Sequence, residues 1–432
     1  MKKRKVLGGG YLRELRYPTI LTLVVGACFF MVQQSKKETI LQEKIEENTL
    51  AIYLEDEPIH YIPEKDSGYT LDLLKSSCTN GVEVSFDYNT WTIKTNYSNY
   101  AYENNERVKC SLYFKKRTFA EAVVDCGALS KDGGTCIKEN YDLTDEVVDD
   151  ETSDNNLRFI GADPDNYVWF NNELWRIIGV MNNIDDGTGN KETRLKIIRD
   201  ESIGQYSWDN KASGIGSSLH SDGSNDWSDS VLQVVLNSGA YYNKTSGNCP
   251  YGQNGATTTC DFSTTGLTEE AKAMVSNAVW NLGGSSTHND VTASMFYERE
   301  RGTTVYNGRP TKWIGKIGLM YPSDYGYATS GGNTKDRNNC LDISLNDWED
   351  DSNQDCSNNN WLFEENNQRW TITSYTDNSM YIFVITSYSG RTGFLPVYFN
   401  YMEVLPVIYL NSNIKIISGN GSSSNPFNLT II

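Results

Sequence analysis

The chain is poor in the residues that most catalytic and metal chemistry requires. Three histidines in 432 residues, His60, His220 and His288, stand far apart, and no His-Glu-x-x-His or Gly-x-Ser-x-Gly string accompanies them. No Cys-x-x-Cys occurs among the nine cysteines, which disfavours zinc ribbons and thioredoxin-like redox sites. Positive charge is scarce too: 38 Lys and Arg against 56 Asp and Glu leave a net charge of −18. No basic stripe follows the N-terminal residues, so nucleic acid is not an expected partner. What is plentiful is Gly (35), Tyr (27) and Trp (10), a mix that suits a β-rich, loop-rich surface protein rather than a metalloenzyme.

Residues 17–35, from Tyr17 to Ser35, form an uncharged and mostly apolar stretch. At ~1.5 Å per residue this stretch spans about 28 Å as a helix, close to the ~30 Å hydrocarbon core of a bilayer. Lys2, Lys3, Arg4, Lys5, Arg13 and Arg16 precede it against the lone Glu14, so the positive-inside rule places residues 1–16 in the cytoplasm and residues 36–432 outside. A single-pass anchor is therefore expected. Val25, Gly26 and Ala27 before Cys28 leave lipoprotein cleavage as the alternative, and cleavage between Gly10 and Tyr11 in the manner of a pilin is a third.

The other eight cysteines all follow the apolar stretch, at 78, 110, 126, 136, 249, 260, 340 and 356. An even number beyond an anchor is expected to form disulfides, and 105 connectivities are open to them. Nearest-neighbour pairing, Cys78 with Cys110, Cys126 with Cys136, Cys249 with Cys260 and Cys340 with Cys356, closes short loops between turn-rich strings and is the expected one.

Residues 36–50 carry Ile40, Leu41 and Ile45 at helical spacing and read as a juxtamembrane helix. Period-two alternation then begins, and residues 51–118 read as a small β domain. Residues 119–155 read as a short helix followed by an acidic linker, with five Asp and two Glu between Asp142 and Asp154. Residues 156–432 form the main domain. Tyr167 to Phe170, Leu174 to Val180 and Arg194 to Arg199 predict sequential strands, with a turn at Asn171 and Asn172. Asp226 to Leu236 and Thr268 to Trp280 predict two helices, and six short strand-like runs follow between Trp361 and Ile417. The expected class is α+β, with a mainly antiparallel sheet and two helices.

Several strings in this domain resemble an uncharacterised family of anchored bacterial surface proteins. They are Trp175-Arg176-Ile177-Ile178-Gly179-Val180, Lys196-Ile197-Ile198-Arg199, Gly315-Lys316-Ile317-Gly318-Leu319-Met320-Tyr321-Pro322-Ser323-Asp324-Tyr325-Gly326-Tyr327-Ala328, Trp361-Leu362, Leu405-Pro406-Val407-Ile408-Tyr409-Leu410 and Gly419-Asn420-Gly421 through Asn425-Pro426-Phe427. The placing of helices between strands, the Trp-rich turns and the closing aromatic strand are also similar to the C-type-lectin-like fold of formylglycine-generating enzymes and retroelement variable proteins. Leu405 stands where such domains usually carry Arg, and no catalytic residue carries over.

The expected ligand surface is Ser374 to Tyr401, where Tyr, Ser, Asn and Gly supply 13 of 28 residues. Tyr gives rigid contact area and Ser or Asn adaptable hydrogen bonds, the vocabulary of antibody loops. The variable proteins place their ligand surface in the corresponding stretch. Tyr375, Asp377, Asn378, Tyr381, Tyr388, Arg391, Tyr398 and Tyr401 are the expected contacts for a protein or glycan ligand. Asn346, Asp347, Glu349, Asp350, Asp351 and Asp355 loosely resemble the calcium loop of C-type lectins, so calcium is the one cofactor the sequence leaves room for. The function this implies is display of a ligand-binding domain without catalysis. A glycan- or cell-wall-active enzyme and a structural envelope component are the alternatives.

Overall fold

The computed structural model describes residues 49–64, 69–73, 75–87, 91–96, 108–116, 146–211, 221–387, 390–419 and 421–431. The expected anchor at 17–35, residues 36–48 of the juxtamembrane helix expected at 36–50, Cys126 and Cys136 lie outside them, while Thr49 and Leu50, read as the end of that helix, instead begin the strand Thr49–Leu54. Among the described residues no helix is long and apolar enough to cross a membrane. The chain divides into two compact units, residues 1–116 and 117–432.

In the first unit Thr49–Leu54 turns back through Glu55 and Asp56, both at positive φ (50° and 72°), into Glu57–Ile59. Thr49–Leu54 also pairs in parallel with Lys109–Lys116, which takes Tyr69–Leu71 and Ser77–Cys78 as antiparallel neighbours. Leu71, Leu112 and Phe114 form the buried core, covered by Phe86 and Trp91. The Cys78–Cys110 disulfide joins directly opposed residues of this sheet.

The second unit is α+β and is built on a nine-stranded sheet. Its central pair is Glu173–Asp185 with Lys191–Arg199, antiparallel, and both strands are buried over most of their length. Tyr167–Phe170 joins this pair through the turn at Asn171 and Asn172, which take φ of 59° and 63° as a tight two-residue hairpin needs. Val407–Tyr409 lies on the other side of Lys191–Arg199, and Ile317–Gly318 beyond it. The register shifts between Ile177 and Gly179, where a Cβ on Gly179 would lie 2.0 Å from the Leu157 carbonyl oxygen. Only glycine lets Leu157–Phe159 approach at that point.

Phe427–Ile431 adds in parallel to Tyr167–Phe170, a strand that sequence periodicity missed. A three-stranded sheet, Arg369–Ser374, Tyr381–Ile385 and Thr392–Pro396, is separate. Cys249–Cys260 closes the Ser246–Pro250/Thr257–Asp261 hairpin, and Cys340–Cys356 joins the short helices Arg337–Leu341 and Gln354–Asn358. Three of the expected nearest-neighbour pairs are thus bridged, and the Cys126–Cys136 pairing falls outside the described residues.

Three expectations need correction. The acidic run is not a solvated linker from Glu146 onward: Val147–Asp149 is a strand of the large sheet, and Asp150 is buried in the domain. Two helices become six α-helices among the described residues, none longer than Ala293–Glu300. Asp226 to Leu236 breaks at Ser230, and Thr268 to Trp280 ends as a helix at Ala273, its last residues joining the Ala278–Asn281 strand. Trp361 to Phe363, read as a strand, is a turn.

Candidate functional site

The expected ligand contacts fall into three groups. Tyr375, Asp377, Asn378 and Tyr381 surround the turn between Arg369–Ser374 and Tyr381–Ile385. Tyr375 stacks on Phe394 at 4.4 Å, Tyr381 meets the same ring edge-on at 5.5 Å, and His288 meets it at 4.9 Å. Asn225 pins the turn, its Nδ2 donating to the carbonyls of Asn378 (2.7 Å), Tyr381 (3.2 Å) and Tyr375 (3.3 Å). The two Tyr rings are therefore half-buried in packing, while Asp377 and Asn378 are exposed. Tyr398 and Tyr401 form a second group, flanking Phe399 at 5.4 and 5.2 Å, with Tyr401 exposed. Arg391 is a third, and donates from Nη1 to Glu349 at 2.8 Å. Tyr388 lies outside the described residues.

The residues of the expected calcium loop are engaged close by. Glu349 faces Arg391, Asp350 accepts from the Ser352 backbone (2.9 Å), Asp351 from Gln354 (3.1 Å), and Asp355 from Thr334 and the Lys335 backbone. Asn346 donates to Asp347 at 3.4 Å. These oxygens are spent on local turns and caps rather than converging, and no cluster of three His, Cys, Asp or Glu suited to a metal occurs among the described residues.

A cleft of about 470 Å³ lies elsewhere in the same unit, within the range of small-ligand sites. Three backbone segments build it. Arg199 N donates to the Pro406 carbonyl (3.0 Å), Ile203 N to Val404 (3.0 Å), and Glu403 N to Gln368 (2.8 Å), so the Asp200–Ser202, Glu403–Leu405 and Trp361–Arg369 stretches meet. Three guanidiniums line it, each already held. Arg176 donates to Asn166 (2.8 Å) and Asp163 (3.1 Å) and lies over the rings of Tyr167 (4.2 Å) and Trp361 (4.7 Å). Arg199 grips both carboxylate oxygens of Glu173 at 2.9 and 2.7 Å. Arg369 donates to Glu364 (2.5 Å) and the Leu362 carbonyl (2.7 Å).

The remaining lining acids are different. Asp200, Glu201 and Glu403 accept no side-chain hydrogen bond among the described residues. Burial pushes the Asp200 carboxyl above its ordinary range, against the pull of Arg176 and Arg369. Burial does the same to Glu403, against Arg369. The cleft can therefore accept hydrogen bonds or a cation, and its two raised carboxyls can carry a proton. Sequence reasoning passed over this site; the cue was the row Arg199-Asp200-Glu201 at the end of an apolar strand, with Glu403 just ahead of another. Leu405, noted as a departure, lines the same cleft.

A second cluster of charges is sealed. Asp324 accepts from Lys196 Nζ (2.5 Å), Arg158 Nη1 (2.6 Å) and Tyr321 N (2.9 Å), and Arg158 Nε donates to Asp150 (3.0 Å). Burial alone would raise the Asp324 carboxyl, but Lys196 and Arg158 outweigh it and hold it at about 2. Burial takes Lys196 down to about 8, partly offset by Asp324, so at neutral pH the pair stays ionised. Lys196 also lies 4.3 Å from the Tyr321 ring centroid. Beside them burial raises Glu300 to about 7, with Arg301 and two hydrogen bonds from Ser323 opposing it. Lys196, Asp324, Arg158, Asp150 and Glu300 have side chains at most 2% exposed, so this cluster joins sheet to helix and offers nothing to a ligand.

Comparison of the chain with family models, with characterised proteins and with solved structures finds no match.

Proposed function

We propose that this chain is a membrane-anchored, extracytoplasmic surface protein whose C-terminal domain, lectin-like in type, binds a ligand without converting it. The observation that carries the reading is the 470 Å³ cleft, lined among others by Asp200, Glu201 and Glu403, whose carboxylates have no hydrogen-bonding partner among the described residues. The apolar stretch at 17–35 with its basic flank supports the anchor, and three disulfides suit an oxidising exterior. The exposed Tyr401 and the Asp377–Asn378 turn extend the surface available for recognition.

The test is an array of glycans and peptides probed with the full chain in lipid nanodiscs. At least one ligand class is expected to bind, and Ala162→Trp, at the exposed rim of the cleft, is expected to block it without altering the fold. Unchanged binding in that variant would move the site away from the cleft. The second reading, a glycan-active enzyme, is favoured by the raised carboxyls of Asp200 and Glu403, since a raised carboxyl suits a general acid. Release of new reducing ends from the bound glycan would establish that reading in place of the first.

A further inference from the structure

The sealed charges between sheet and helix include a lysine whose surroundings are not those of an ordinary ion pair. Lys196 stands in the strand Lys191–Arg199, where every residue from Arg194 to Arg199 is buried, and its own side chain is 1% exposed. An ammonium carries three donors. Among the described residues this one makes a single hydrogen bond, to Asp324 Oδ2 at 2.5 Å, and otherwise faces the rings of Tyr321, Tyr409 and Trp280 at 4.3, 5.4 and 5.7 Å. A buried ammonium so thinly solvated is costly to keep charged. Burial accordingly brings it down to about 8, which puts the neutral amine within reach.

The two oxygens of Asp324 are held differently. Oδ2 accepts from Lys196 and from the Tyr321 backbone N–H (2.9 Å), whereas Oδ1 accepts from Arg158 Nη1 (2.6 Å), whose Nε is fixed in turn by Asp150 (3.0 Å). One oxygen thus faces a nucleophile and the other a fixed cation. An amine held against a carboxyl in a site closed to solvent has the proximity that condensation requires, and little water reaches the product to reverse it.

We propose that Lys196 and Asp324 condense within the folded domain into an amide between Nζ and Cγ, an intramolecular isopeptide bond that ties the strand Lys191–Arg199 to the helix Pro322–Tyr327. The ionised pair is the starting state. Lys196 passes one proton to Oδ2, its amine attacks Cγ, and the charge of the tetrahedral centre falls on Oδ1 against Arg158. The nitrogen then gives a second proton to Oδ2, which departs as water. The Nζ–Cγ bond forms, the Cγ–Oδ2 bond breaks, and nothing is oxidised or reduced. Ammonium and carboxylate charges cancel, so two buried charges vanish while the Arg158–Asp150 pair stays balanced. The bond spans 128 residues of sequence and strengthens the domain whatever the cleft binds.

The experiment is a peptide map of the full chain, purified folded, then reduced, denatured and digested with trypsin. An amidated Lys196 resists trypsin, so residues 195–199 and 317–335 are expected as one branched species, lighter than the sum of the two peptides by one water. Fragmentation should place the branch at Lys196 and Asp324, and the free 317–335 peptide should be lost. Lys196→Arg keeps the positive charge but not the nucleophile, and is expected to restore the free 317–335 peptide. Recovery of that peptide from the parent chain, together with ordinary cleavage after Lys196, would overturn the proposal and leave a plain ion pair. A branch from Lys196 to any residue other than Asp324, or one that persists in Lys196→Arg, would overturn the assignment. The parent map decides alone if the variant fails to fold.

Discussion

Glu300 is a buried acid whose protonation bears directly on the fold. It is fully buried, it accepts from the Ser323 backbone at 3.0 Å and from its hydroxyl at 2.5 Å, and burial raises its carboxyl to about 7. A carboxyl raised above its unfolded value binds its proton more strongly when folded. Its stabilising contribution is complete below the unfolded pKa of ~4.5 and is lost as pH climbs through about 7. The full swing is on the order of 3 kcal/mol, since a tenfold gain in proton affinity is worth ~1.4 kcal/mol. Glu300→Gln removes the titration while keeping an acceptor for Ser323. The variant is expected to match the parent near pH 5 and to exceed it by pH 8, as read from urea midpoints at the two pH values. A parent midpoint that rises between them would contradict the assignment. Nothing in the sequence marks Glu300: it is one acid among 56, and its burial depends on a helix that sequence periodicity did not single out.

At the scale of elements, local chemistry decided the hairpins and tertiary contacts decided the helices. The Asn171–Asn172 turn was legible because both positions need positive φ, which Asn tolerates and β-branched residues do not. Asn172 is exposed, so Asn172→Val tests backbone alone. A cost of about 1–2 kcal/mol is expected, seen as a lower urea midpoint at unchanged slope, while Asn172→Gly should be close to neutral. The helix read over Asp226 to Leu236 contains two start signals. Asp226 accepts from Ser228 N, Ser230 accepts from Gln233 N, and Ser230 sits in extended backbone (ψ 148°) between them. Thr268 did cap a helix, but Ala278–Asn281 pairs with Lys312–Gly315, and Trp280 Nε1 donates to the Gly315 carbonyl at 3.1 Å. A strand partner more than thirty residues away overrode the helical spacing, and no window on the sequence contains it.

For the whole molecule, the cysteines carried more information than the motifs. Their order along the chain predicted three bridges that the structure contains, because each joins residues of one hairpin, one helix pair or one sheet. The candidate site was less legible, since its cleft is assembled from segments around positions 176, 200, 364 and 403 whose meeting depends on the sheet order rather than on any local pattern. The bridges also lead to a prediction about stability. The Cys249–Cys260 loop spans 11 residues of sequence separation and Cys340–Cys356 spans 16, so the chain-entropy model assigns each about 3 kcal/mol through restriction of the unfolded state. Cys249 and Cys260 cross-link a hairpin already held by five paired residues on each strand. Replacing both with Ser is therefore expected to leave the folded hairpin intact, lower the unfolding free energy of the C-terminal unit by about that amount, seen as a lower urea midpoint, and leave the Cys340–Cys356 peptide unchanged on a non-reducing map. A map that joins Cys260 to Cys340 in the parent protein would refute this arrangement.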